Sequence, residues 1–185
     1  MKIFVNTILI FIFSCGILLA SDNKIEKARE LYYSAVENED KIDPAIDLFK
    51  EIKSNNESFS GTAKTYIGSL TAMKAKNAFW PQTKLKYANQ GIDKMEEGIK
   101  ESPEDIEALF IYGTTCYYLP FFFGKSDEAE TQLKKLLGLI NDDSPKRYGP
   151  ELIRNAVEFI MEKIDLSNSE KQKAREILNK LPKDS

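Results

Sequence analysis

From Ser21 onward apolar residues recur at three- and four-residue intervals, and no stretch sustains two-residue alternation with β-branched enrichment. That periodicity commits the chain to amphipathic helices. The first helix is predicted over 23–38, with Ile25, Ala28, Leu31, Tyr32, Ala35 and Val36 on one face. A second starts near Asp43, with Pro44 at the first position, and carries Ala45, Ile46, Leu48, Phe49 and Ile52 up to Ser54-Asn55-Asn56. A third covers 59–78 and a fourth 82–101, divided by Trp80-Pro81. Ser102-Pro103-Glu104-Asp105 reads as the start of a fifth, running to Tyr118: it offers a cap, a proline and acids near the positive end of the dipole. Ser126 is suited to cap a sixth over 127–141, and Pro150 opens a seventh over 150–164. Ser167-Asn168-Ser169-Glu170 is a capping box for an eighth, which ends near Leu181-Pro182. Eight helices on short turns mean stacked helical hairpins, since a long coiled coil would need uninterrupted heptads. With 185 residues and 42% apolar side chains, the chain suits one domain with a real core.

The hairpins carry a repeat signal. In the fifth helix Leu109-x2-Tyr112-Gly113-x2-Cys116 follows the spacing W-x2-L-G-x2-Y, and Ala129-x3-Leu133 then supplies A-x3-F. Ala45-x3-Phe49 matches that second element unsubstituted, and Gly91-x3-Met95 is a looser version. Gly68 serves as the small residue of the third helix, and Pro103 stands where a closing proline belongs. Small residues at these places let two helices approach closely. Residues 25–141 therefore resemble a divergent tetratricopeptide-repeat (TPR) protein. Ala45, Gly91 and Ala129 are 46 and 38 residues apart, so insertions are needed near Trp80-Pro81 and in Leu119–Gly124. The resemblance implies an all-α, TPR-like helical-hairpin solenoid of about three repeats over 21–145, capped by a C-terminal helical pair over 146–185. It also implies a concave surface used for binding. A second, local resemblance covers about ten residues. Leu119-Pro120-Phe121-Phe122-Phe123-Gly124, directly before a helix with Glu128-Ala129, is similar to the Leu-Pro-x-aromatic-Phe-Gly segment of the T-component proteins of bacterial TRAP transporters. Those are periplasmic lipoproteins of helical-repeat type.

Residues 1–20 read as an address. Lys2, an apolar run from Ile8 to Phe13 and a small Ala20 describe a secretory signal peptide. Ile12-Phe13-Ser14-Cys15-Gly16 also resembles a bacterial lipobox, with lipidation at Cys15, and an uncleaved anchor is the third reading. All three place the domain outside the cytoplasm, in a bacterial periplasm, and the membrane is touched only if the N-terminus is lipidated or retained. Cleavage would leave Cys116 as the single cysteine, expected as a small core residue rather than half of a disulfide.

The chain contains no histidine. A Ser-His-Asp triad, a Cys-His dyad and a His-ligated zinc site are all excluded. The carboxylate pairs Glu96-Glu97, Glu104-Asp105 and Asp142-Asp143 fall at helix ends or on polar faces, where nothing separates their pKa values. Asp142-Asp143 lacks the spacing of a calcium loop, and no glycine loop suits a phosphate. No catalytic residue, cofactor or metal is expected. The net charge of −3, together with the export signal, argues against nucleic acid.

Two features point to binding. Between Glu57 and Asp93 there is no acid, but there are Lys64, Lys74, Lys76, Lys84 and Lys86, with Tyr66, Phe79, Trp80 and Tyr87 among them. This stretch is either a basic, aromatic-edged groove for an acidic peptide, a carboxylate or a lipid head group, or a solvated face over packed aromatics. Phe121-Phe122-Phe123 is either a docking tip or, as expected here, a wedge with at least two rings filling the gap between helical pairs. The binding set is thus Lys74, Lys76, Trp80, Lys84, Lys86, Tyr87, Phe121 and Phe122. The repeat-packing set is Ala45, Phe49, Gly68, Gly91, Met95, Tyr112, Gly113, Ala129 and Leu133. The expected function is an exported, non-enzymatic scaffold for a protein or peptide partner. The alternative is a transporter accessory that holds a small anionic ligand or docks a substrate-binding protein; it predicts a closed pore between repeats.

Overall fold

The computed structural model describes residues 23–182, and among these the chain forms nine α-helices and no strand. They are α1 (23–37), α2 (Ile42–Asn55), α3 (Ser60–Asn77), α4 (Pro81–Glu101), α5 (Ile106–Tyr118), α6 (Ser126–Leu139), α7 (Ser144–Tyr148), α8 (Pro150–Lys163) and α9 (Asn168–Lys180). The segment 1–20, with Cys15, lies outside the described residues. Within the described residues no helix is long and apolar enough to cross a membrane.

Local chemistry sets most boundaries. Pro81 occupies the first turn of α4, and Ser167 and Glu170 form a reciprocal capping box on α9. Three expectations need correction. Helix α5 does not start at Ser102: α4 runs to Glu101, and Asp105 caps α5 by accepting from the Ala108 amide at 2.9 Å. Ser102 lies instead against Gly61 of α3. Ser126 is the first residue of α6 and makes no capping bond. Finally, the Asn141–Asp143 turn leads into the short α7, so there are nine helices rather than eight. There the Asn141 side chain accepts from the Asp143 amide at 3.0 Å.

Helices α1 to α4 each pack antiparallel to the next. Lys24 of α1 meets Glu51 of α2 at 2.6 Å, and Phe49 of α2 stacks on Tyr66 of α3 at 4.3 Å. Helices α3 and α4 meet along a glycine seam, where Gly61 faces Gly98 and Gly68 faces Gly91. Seven residues separate the glycines on each helix, close to two turns, so all four lie on one line. A Cβ on Gly91 would stand 2.6 Å from the Ala72 nitrogen and 2.6 Å from the Gly68 oxygen, so the two backbones touch. In α5 and α6 the side chain of Leu133 lies over Gly113. Ala45, Phe49, Met95, Tyr112, Ala129 and Leu133 are all buried.

The core has three apolar clusters. One joins α1, α2, α3 and Ile111; a small one holds Ile92, Met95, Tyr112, Cys116 and Ala129. The third joins Ile106, Leu109 and Phe110 of α5 to α6, α8 and α9, so packing crosses residue 145 without a break.

Candidate functional site

Helices α1, α3 and α5 run side by side in the same direction, laced by two polar layers. In the first, the Arg29 guanidinium donates twice to Glu107, at 2.6 Å to each oxygen, and the Tyr66 hydroxyl donates to the same carboxylate at 2.6 Å. Glu107 is only 1% exposed, so this bidentate pairing is what makes its burial tolerable. Burial, and next the Glu107 charge, push Tyr66 well above its ordinary pKa, which keeps it a donor. In the second layer, Tyr32 meets Ser69 at 2.9 Å and Ser69 meets Thr115 at 2.8 Å. Thr115 donates to the Ile111 carbonyl at 2.7 Å, so Ser69 must donate to Thr115 and Tyr32 to Ser69.

Toward the C-terminal ends of these helices lies an open groove of about 1080 Å³ rather than an enclosed pore. Tyr33 and Val36 of α1 line it, with Ala72, Met73 and Lys76 of α3 and Phe110, Thr114 and Tyr118 of α5. Phe159 of α8, Leu85 and Ala88 of α4 and the rings of Phe122 and Phe123 complete the wall. The floor hydroxyls use their protons internally: Thr114 donates to the Phe110 carbonyl at 2.7 Å, and Ser69 and Thr115 belong to the layer below.

The end of the molecule that carries the groove is rich in exposed apolar side chains. Among the described residues, the exposed large apolar side chains are Tyr33, Val36, Phe79, Trp80, Leu85, Tyr117, Tyr118, Phe121 and Phe122. All nine fall at one end of the molecule, where α1, α3 and α5 finish and α4 begins. Four charges join them. Lys76 of α3 and Lys84 of α4 flank the turn between those helices, and Glu37 and Glu39 come from the end of α1 and the turn after it. Among the described residues none of the four has an ion-pair partner; Lys84 donates there only to the Lys76 carbonyl, at 3.4 Å.

The structure divides the sequence-predicted binding set. Lys76, Lys84 and Phe122 line the groove. Lys74 pairs with Asp43 and stands 6.0 Å from the centroid of the half-buried Tyr87, while Lys64 pairs with Glu101. Lys86, Trp80 and Phe121 are exposed at the same end without lining the groove. Neither reading of the basic stretch holds as a whole: Tyr66 is packed inside, but Phe79 and Trp80 are 83% and 64% exposed.

The expectation of two buried phenylalanines is corrected. Phe121 and Phe122 are 88% and 62% exposed, and only Phe123 packs against the small cluster. The three form a single 3-10 turn closed by Gly124 at φ 65°. Three residues per turn send successive rings about 120° apart, so one alone can face the core.

Sequence reasoning missed the contributions of α1 and α8 to the groove, and also Arg29 and Glu107. A stripe at Ser69, Ala72, Met73 and Lys76 carries the helical spacing that could have found the floor. Burial pushes the Cys116 thiol up to about 12. Among the described residues no group of acids or cysteines is placed to hold a metal ion. No family model, curated protein or solved structure matches this chain.

Proposed function

We propose that this is an exported, non-enzymatic binding module, a TPR-like stack of helical hairpins whose groove across α1, α3, α5 and α8 docks a protein partner. The observation that carries this reading is the groove of about 1080 Å³ with its rim of exposed aromatics at one end. A folded chain rarely leaves such a contiguous apolar patch in water unless something covers it. Large aromatic side chains also dominate the energetics of protein interfaces. Three of the wall helices, α1, α3 and α5, run in the same direction, which supports reading them as the inner helices of a hairpin stack, where binding is expected. Export follows from residues 1–20 and locates the partner in the bacterial cell envelope.

The test is crosslinking in the native cell with a photoreactive residue at Phe122 or Leu85, compared with one at Glu57 on the opposite end. The reading expects discrete protein adducts from the first two positions and none from the third. Equal capture at both ends, or none, would count against it. A second reading, a small anionic ligand handled for a transporter, is favoured by one observation: Lys76 and Lys84 stand at the rim with no counter-ion among the described residues.

A further inference from the structure

We propose that the groove takes an amphipathic α-helix of the partner, about two turns of it, with its apolar face inward and charges of opposite sign on its two flanks. This rests on the protein-docking reading above and names what is docked.

The interior of the groove limits what can enter. The protons of Tyr32, Ser69, Thr114 and Thr115 are all committed to internal acceptors. An extended peptide brings one backbone acceptor per residue, and each carbonyl turned to this floor would find no free donor there, at about 1–3 kcal/mol. A helix satisfies its own backbone and presents only side chains. The dimensions agree. A helix is about 10–12 Å across and rises about 1.5 Å per residue, so a volume near 1080 Å³ holds roughly two turns. That length offers anchors at i, i+3 or i+4 and i+7, the spacing of helix-in-groove recognition.

The rim charges favour a helix over an acyl chain. A fatty acid could answer Lys76 and Lys84, but it would leave Glu37 and Glu39 unmet beside its apolar tail. A helix with acids on one flank and bases on the other answers both pairs. This is the arrangement that sets orientation in paired helices.

The test is selection of a random peptide library displayed on phage against the immobilised full chain, followed by affinity measurement on the best synthetic peptide. Enriched sequences should carry apolar residues at helical spacing, acids on one flank and bases on the other. A proline in the central turn should lower affinity at least tenfold, because it breaks the helix. Tyr118→Ser with Phe122→Ser, both exposed and outside the core, should also cost at least tenfold. Lys84→Glu should turn the selected flank from acidic to basic. Enrichment of peptides with two-residue alternation, or indifference to the proline, overturns the helix and leaves protein docking standing. If no peptide is enriched while a fluorescent fatty acid binds the groove, both readings fall.

Discussion

Glu107 is a carboxylate taken out of water in the middle of a three-helix contact. Its two oxygens receive Arg29, and one of them also receives Tyr66, all at 2.6 Å. Removing it strands a fully buried hydroxyl and leaves the Arg29 guanidinium, with 22% side-chain exposure, only the exposed Glu26 carboxylate at 3.1 Å. Glu107→Ala should therefore destabilise the protein by about 3 kcal/mol, measured by urea denaturation, because a buried hydroxyl loses its acceptor and Arg29 loses its buried counter-ion. A loss under about 1 kcal/mol would mean that water reaches Arg29 and that the pair is not truly buried. Nothing in the sequence announced this. A glutamate in a helix reads as solvent-facing, and its partner is 78 residues away along the chain. Cys116 was legible, because among the described residues it has no second cysteine to pair with and little to do but pack. It is buried, and its thiol is raised to about 12 by that burial. At pH 8 iodoacetamide should leave the native thiol essentially unmodified and alkylate it fully in denaturant, since the thiolate is the nucleophile. Rapid native labelling would contradict the packing of α5 against α6.

The closest approach between elements is the α3–α4 seam, and glycine makes it possible. Alanine is the better helix former by about 1 kcal/mol, so an unconstrained helical glycine should gain from replacement. Gly138 of α6 has nothing within 4 Å of an added Cβ, and Gly138→Ala should stabilise by about 0.5–1 kcal/mol. At Gly91 the same methyl meets two backbone atoms at 2.6 Å, and backbone cannot rotate away. Gly91→Ala should destabilise by about 1–3 kcal/mol despite its propensity, because the helices must part. Thermal melts of the two variants should shift in opposite directions; equal shifts would remove the seam as a constraint. The sequence identified Gly68 and Gly91 as packing residues through a repeat pattern. It did not show that Gly61 and Gly98 extend the same seam by two turns. Helix starts were legible at Pro81, at Pro150 and at the reciprocal cap Ser167–Glu170. They were misread at Ser102, where two capping residues compete and Asp105 alone reaches the Ala108 amide.

At the scale of the whole molecule, α5 decides how the parts cooperate. Ile106, Leu109 and Phe110 belong to the cluster shared with α6, α8 and α9, Ile111 to that of α1–α3, and Tyr112 and Cys116 to the small cluster beside α4. A helix apolar on nearly every side is a buried one, and its sequence carries no polar stripe to orient it. The groove was illegible for a related reason: its walls come from α1, α3, α5 and α8, and no local pattern brings Tyr33 and Phe159 together. A repeat stack held only by nearest neighbours can lose its end units separately. Here the clusters share one helix, so opening either side exposes α5. Amide hydrogen exchange should therefore be slowest in α5, by global unfolding alone, with earlier exchange in the outer turns of α1 and α9 through local opening. Leu109→Ala, at a fully buried position, should cost about 2–5 kcal/mol and speed exchange in α1–α3 as much as in α6–α9. If only the α6–α9 amides respond, the two sides fold independently, and α5 is a partition rather than the shared centre of one cooperative unit.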